Sequence, residues 1–227
     1  MSGKSMQFLF GDRELVINSR DLLDAPVDVI VNSANNDLSH HAGLAARILE
    51  LGGEKVRQEC SMLLQQYDSI DSGMAVYTTA GDLPFKSVIH VVGPRMGEGQ
   101  EQQKLEQSIA RCLQLCEINE WHSIAFPAIS AGLSNVPIDI CAQGFFRSIT
   151  HFWDARLECA LDRIELCLSS ANLMAFISAF REDALQDNSV DISPETTEKE
   201  VVIGYVELTE DDIANSNDDE INDWFNN

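Results

Sequence analysis

The chain has 227 residues, and 15 Lys and Arg against 37 Asp and Glu leave a net charge of −22. That length holds one generous domain, or a domain with a tail, and buries a sizeable core without disulfides or metal. The charge excludes general binding to nucleic acid or anionic membrane, which needs a basic face, but not an anionic ligand held by backbone N–H groups.

Taken in order, the first 182 residues alternate strand-like and helix-like segments. Strands are predicted over 7–10, 14–18, 27–32, 74–79, 87–92, 123–127 and 163–168, several of them apolar runs bounded by Gly, Pro or Asp, as strands covered on both faces are. Helices are predicted over 43–51, 53–65, 102–118, 138–151 and 172–180. In the third of these helices, 102–118, Leu105, Ile109, Cys112, Leu113 and Cys116 form one apolar stripe. The alternation predicts an α/β layered domain with a largely parallel central sheet.

Ligands of open α/β sheets bind beyond the carboxyl ends of strands, so the residues after each strand carry the chemistry. Three such segments stand out. Ile17-Asn18-Ser19-Arg20-Asp21-Leu22 places a carboxylate directly after a strand, where it can accept from an exocyclic amino group. Val31-Asn32-Ser33-Ala34-Asn35 runs through a polar turn into Gly43-Leu44-Ala45-Ala46, whose small residues open a helix N-terminus to a phosphate. Asn35 and His40 in that turn suit sugar hydroxyls. Pro127-Ala128-Ile129-Ser130-Ala131-Gly132-Leu133-Ser134 is a second loop of small residues whose N–H groups can wrap another phosphate. Two phosphate-type loops and an amino-group acceptor suggest a dinucleotide-like ligand. Neither GxGxxG nor GxxxxGK[ST] is present, so a Rossmann or P-loop reading has no support.

Charge is concentrated at the end of the chain. Residues 183–227 hold 14 acidic side chains and Lys199, a net of −13, and the first 182 residues carry the remaining −9. This predicts a domain over 1–182 and an acidic, largely disordered or loosely docked tail over 183–227, available to a protein partner. Two islands interrupt the tail: residues 201–206 read as a short strand, and Ile221-Asn222-Asp223-Trp224-Phe225 is an aromatic-acidic terminus. The first residues show no long apolar stretch, and nowhere does the sequence approach the roughly 18 apolar residues of a membrane span, which predicts an intracellular protein of cytoplasm or nucleus. Six cysteines form no CxxC pair and read as buried free thiols; neither metal nor cofactor is expected.

The ordered run of motifs resembles the macrodomain family, which binds ADP-ribose. The likeness runs from about residue 15 to about residue 180. Arg20-Asp21-Leu22 stands where the family has Gly-Asp-Ile, and Val31-Asn32-Ser33-Ala34-Asn35 where it has V-N-A-A-N. Leu38-Ser39-His40-His41-Ala42-Gly43-Leu44-Ala45, Val88-Ile89-His90-Val91-Val92-Gly93-Pro94 and Pro127-Ala128-Ile129-Ser130-Ala131-Gly132 extend it. The texture is most similar to macrodomains of large animal ADP-ribosyltransferases and of viruses. The resemblance implies a three-layer α/β/α sandwich around a mixed six- or seven-stranded sheet. It implies that Asp21 accepts from the adenine amino group beside the Leu22 N–H. Asn35 would hold the distal ribose, with His40 supporting its loop. Gly43 and Leu44 would approach the diphosphate, and Ser130, Ala131, Gly132, Leu133 and Ser134 would form the second phosphate loop. Asn32 and His90 would be structural.

Three functions stay open on this reading. The first is a reader of ADP-ribose or of mono-ADP-ribosylated protein. The second is a mono-ADP-ribosylhydrolase that frees protein carboxylates by positioning substrate around Asn35, its one candidate catalytic residue. The third is a degenerate module that binds protein. Ala45 stands where one hydrolase group has an activating aspartate, His41-Ala42-Gly43 replaces a glycine run, and Ser134-Asn135 replaces Phe-Gly; all of these count against aligned water attack, and His41 and Ser134-Asn135 would equally support the degenerate module. Ser169-Ser170 stands near the expected adenine-stacking aromatic.

Overall fold

The computed structural model describes residues 5–39, 42–156, 158–187 and 201–204, the last stretch and 181–187 by backbone alone. The predicted strands are all present. They are β1 (Ser5–Phe10), β2 (Arg13–Asn18), β3 (Val29–Ser33), β4 (Ala75–Thr79), β5 (Ser87–Val91), β6 (Ser123–Phe126) and β7 (Arg163–Cys167). An additional strand, β8 (Val201–Gly204), falls on the first of the two tail islands. The helices are α1 (Gly43–Tyr67), α2 (Glu101–Ile118), α3 (Ile138–Ala155) and α4 (Ser170–Asp187).

The sheet order is β4-β5-β3-β6-β7-β2-β1-β8. The pairs β5-β3, β3-β6, β6-β7 and β7-β2 are parallel, and the antiparallel pairs lie at the two edges, so the sheet is mixed with a parallel centre. Seven strands come from the first 182 residues, and β8 extends the sheet by pairing Val201–Gly204 along β1. Residues 183–187 of the predicted tail continue α4, which runs on past the expected helix over 172–180, and the remaining tail residues, including the Trp224-Phe225 island, lie outside the described residues.

Alternation along the central strands makes the three layers. Val29 and Val31, Ile89 and Val91, Ile124 and Phe126, and Ile164 and Leu166 face α2, α3 and α4 in the main core. Ile30, Val88, Ala125 and Cys167 face the opposite way, toward Ile48 of α1 and Leu22. Aromatic rings fill the main core, with Phe126 edge-on to Phe145 at 5.4 Å and Phe146 edge-on to Phe180 at 5.2 Å. Both helix-covered faces explain why the strands read as near-continuous apolar runs.

The predicted helices over 43–51 and 53–65 form one element with a break. Gly53 sits at φ +76 inside α1, a conformation that L side chains rarely adopt. The break lets the first half of α1 point its N-terminus at the carboxyl end of β3 while the second half packs Val56 and Cys60 against Val92 and Ile70. Among the described residues no helix is long and apolar enough to cross a membrane, and all six cysteines are free.

Candidate functional site

A cleft of about 150 Å³ opens at the carboxyl ends of β3 and β6. One wall is Ser33, Ala34 and Asn35 with the start of α1, from Ala42 to Ala45; the other is Pro127, Ala128, Ser130, Gly132, Leu133 and Ser134. A larger hollow of about 530 Å³ lies between the loop before α2 and α3, lined by Glu101 and by Glu106 paired with Arg147, and it lacks facing runs of backbone donors.

Backbone N–H groups supply the cleft's polarity. No side chain caps α1, whose N-cap position is Ala42. Ala46 N–H donates to the Ala42 carbonyl, and no hydrogen bond among the described residues takes the N–H groups of Gly43, Leu44 or Ala45. Across the cleft, the second loop is folded by its own turns. Ala131 N–H donates to Ala128, Asn135 N–H to Gly132 and Val136 N–H to Ser130. Ser130 and Asn135 take positive φ, +65 and +53, to make those turns. The N–H groups of Gly132, Leu133 and Ser134 are likewise untaken among the described residues. Ser130 is only 4 % exposed, and its hydroxyl is buried without a hydrogen-bond partner. Two runs of unpaired donors thus face each other across a gap lined by small residues, an arrangement that holds a diphosphate without a lysine.

The sequence-predicted residues are distributed as follows. Asn35, Gly43, Leu44, Ser130, Gly132, Leu133 and Ser134 line the cleft. Ala131 belongs to the same loop but is not in the lining, and packs against the main core. Asp21 and Leu22 stand beyond the lining, on the turn after β2. Asp21 Oδ1 accepts from Leu23 N–H at 3.0 Å and so opens the 3-10 turn Leu22–Asp24, whose Leu22 is buried. Its other oxygen, Oδ2, takes a 2.7 Å bond from Arg47 Nη1, one turn into α1. Arg47 therefore ties the outlying carboxylate to the helix whose N-terminus walls the cleft. His40, and His41 beside it, lie outside the described residues.

The two structural expectations have clear geometry. Asn32 and His90 face each other in the β3–β5 register, with Asn32 Nδ2 3.2 Å from His90 Nδ1. Thr78 Oγ1 lies 3.0 Å from His90 Nε2, and His90 is fully buried. Asp37 Oδ1 accepts from the Ser39 N–H and hydroxyl within its own turn.

Three groups escaped the sequence reading. Arg47 is the first, and its signal was the four-residue spacing from Gly43, which puts both on one helix face. Glu165 is the second: fully buried in β7, it accepts from Asn18 Nδ2 at 2.7 Å and Arg20 Nε at 3.1 Å and pairs with Arg163 Nη2 at 3.2 Å. It braces the turn that presents Asp21, and nothing in an apolar strand announces such a partner set. Arg95 is the third. It follows Gly93-Pro94 past the end of β5, and its Nη2 reaches Asn35 Oδ1 at 3.4 Å.

The sequence model of the Macro domain matches residues 31–145. The chain is 40% identical over 134 residues to the O-acetyl-ADP-ribose deacetylase of Salmonella typhimurium, covering 58% of this chain and 75% of that protein. It is 35% identical over 139 residues to the human protein mono-ADP-ribosyltransferase PARP14, which is 60% of this chain but 8% of that much longer protein. In fold it matches the Oceanobacillus iheyensis macrodomain solved with ADP, at a TM-score of 0.77 and 23% identity, over 82% of this chain and 100% of the other.

Proposed function

The chain belongs to the Macro domain family, and from that premise we propose that its cleft binds the ADP-ribose group, free or carried by a mono-ADP-ribosylated protein. One observation carries the reading: the N–H groups of Gly43, Leu44 and Ala45, without partners among the described residues, oppose those of Gly132, Leu133 and Ser134 across the gap. They fit a diphosphate, and they act at short range, where the acidic field of the chain matters little. The chemistry at either end orients the nucleotide. Adenine offers an amino group and needs an acceptor, which is Asp21; the second ribose offers hydroxyls and meets Asn35. A cleft of about 150 Å³ is smaller than the roughly 300–1,000 Å³ of a usual ligand pocket, so it encloses the diphosphate and its neighbouring ribose and leaves the base on the Asp21 shelf.

A second reading, hydrolysis of an ester on the distal ribose, is favoured by the 40% identity to deacetylases and by Asn35 in the lining. Against it, no carboxylate is among the described lining residues, and Asp37 is engaged within its own turn. Water activation then has no general base at hand, so binding is the first reading.

Calorimetry with ADP-ribose tests the proposal, and a protein mono-ADP-ribosylated on carboxylates separates the two activities. Saturable binding at about micromolar level is expected, with no release of ADP-ribose where a control hydrolase acts. Flat calorimetry sinks the binding site itself. Release that stops in Asn35→Ala replaces the reader by the hydrolase.

A further inference from the structure

Residues 95 and 96 stand between the cleft and the larger hollow beside α2 and α3. Their backbone is docked on the second loop. A Cβ added to Gly93 would meet Ser130 Oγ at 2.3 Å and Ile129 Cγ2 at 2.6 Å, and Met96 N–H donates to the Ser134 carbonyl at 2.9 Å. Ser134 lines the cleft and Met96 lines the hollow, so this bond belongs to a wall that the two share. The two side chains part there. Arg95 Nη2 reaches Asn35 Oδ1 in the cleft at 3.4 Å, whereas Met96 is 57 % exposed at the hollow. Leu133, on the cleft side, is 79 % exposed. Scattered apolar side chains need no account, but these two stand on segments bonded to each other at the mouth of a cleft.

The carboxylates of the hollow are already engaged. Glu101 accepts from the Gly97 and Gly99 N–H groups at 2.8 and 3.0 Å. Glu106 accepts from Gln102 Nε2 at 3.1 Å and pairs with Arg147 Nη1 at 3.8 Å. The hollow still offers apolar surface, from Met96 and the half-buried Ile140, beside the amides of Gln100 and Gln103, which donate and accept as a peptide backbone does. Its volume of about 530 Å³ falls within the roughly 300–1,000 Å³ of a binding pocket. Arg95 is the opposite case. It is exposed, and among the described residues no carboxylate lies within ion-pair distance of it, although the chain carries a net charge of −22.

We propose that this surface recognises the polypeptide that carries the ADP-ribose group: Arg95 pairs with an acidic side chain next to the modified residue, and the hollow beside Met96 receives an apolar side chain further out. This rests on the binding reading above, which puts the distal ribose at Asn35. A polypeptide joined to that ribose leaves the cleft past Arg95 and meets Met96 next. A guanidinium with no carboxylate of its own takes an anion, and its planar fork meets both oxygens of an Asp or Glu. A lysine or arginine at the same place in the partner is repelled, so the charge selects among modified proteins. Met96 is unbranched and adapts to the apolar side chain that it covers. Because the backbone of 93–96 is already docked, binding orders side chains only on this wall.

The test titrates the full chain by calorimetry with ADP-ribose and with three synthetic peptides, each ADP-ribosylated at its central residue through a linkage that resists hydrolysis. In the first, Glu stands on both sides of the central residue and Leu further out on both sides. In the second, Lys replaces Glu; in the third, Ser replaces Leu. The wild type is expected to bind the first peptide about tenfold more tightly than ADP-ribose, and the other two more weakly than the first. Arg95→Glu should reverse the order of the first and second peptides. Met96→Gln should make the first and third peptides bind alike, with the affinity for ADP-ribose itself changed by less than about twofold. A wild type that binds ADP-ribose and all three peptides equally overturns the proposal and leaves the cleft reading standing. Preferences among the peptides that survive both substitutions belong to another surface and overturn it as well. Wild-type protein that binds none of the probes refutes the binding reading and this inference together.

Discussion

At the scale of single residues, Asp21 does two jobs that substitution can separate. Its Oδ1 holds the Leu23 N–H and opens a short turn, while Oδ2 holds Arg47 and, on the proposed function, is the acceptor for the base. Asparagine keeps an oxygen for the cap but presents an NH₂ where the second oxygen was, and an NH₂ cannot accept from an adenine amino group. Asp21→Asn should therefore weaken ADP-ribose by about tenfold, the worth of one hydrogen bond to a charged group, and leave the melting temperature nearly unchanged. Asp21→Ala should show the same loss of affinity and give up about 1 kcal/mol of stability besides. Calorimetry and thermal melts on the two variants check this; equal affinities for wild type and Asp21→Asn would remove Asp21 from the ligand. Asp21 was legible from the sequence because a carboxylate directly after a strand is a local pattern. Its partner Arg47 was not, since the pair spans 26 positions and depends on how α1 is tilted onto the sheet. Arg95 and Glu165 escaped for the same reason: each acquires its meaning from a residue far along the chain, Asn35 and Asn18 respectively.

At the scale of elements, local pattern was enough for nearly every strand and helix, because apolar runs between Gly, Pro and Asp mark strands covered on both faces. That holds for α1 as well. Gly52-Gly53 reads as the gap between two helices, and the backbone leaves the helical range at Gly53, where the chain meets the loop after β4. That meeting is backbone against backbone. Gly81 has φ +60, and a Cβ there would lie 1.8 Å from the Gly52 carbonyl oxygen and 2.9 Å from Val56 Cγ2. A carbonyl cannot swing aside as a side-chain end can, so the break in α1 and the loop must separate. Gly81→Ala should cost about 3 kcal/mol or more, and for a chain of this length lower the melting temperature by about 10 °C. Gly97→Ala is the control: its φ is +93 but nothing lies within 4 Å, so only the backbone conformation is penalised, by about 1 kcal/mol. Equal melting temperatures for the two variants would show that the Gly52 contact is not tight. Because the bend aims the N-terminus of α1 at the cleft, Gly81→Ala should also weaken ligand binding while Gly97→Ala leaves it intact.

At the scale of the whole molecule, the layered core decides how the protein responds to alkali. Burial pushes the Cys60 thiol up to about 11, with the Glu59 charge adding to it, and the Cys141 thiol up to about 12, helped by Asp139. Burial also raises Cys112, Cys116 and Cys167 well above the usual thiol range. These five are buried, whereas Cys159 is half-buried on the turn after α3. The folded chain therefore keeps protons that the unfolded chain releases from about pH 9 upward. A group whose folded pKa is raised contributes its full stability below the unfolded pKa and loses it as pH climbs toward the folded one. Stability should thus be flat in this respect near neutrality and fall between pH 9 and pH 11 by up to about 1.4 kcal/mol per pH unit for each buried thiol. Urea unfolding at a series of pH values reads that slope, and Cys60→Ser should make it shallower over the lower part of the window. The same burial governs reactivity, because the thiolate is the nucleophile. With a thiol-specific reagent at pH 8, Cys159 should react quickly and the other five only after denaturant is added. Six thiols reacting at one common rate in the native protein would contradict the closed core on both faces of the sheet.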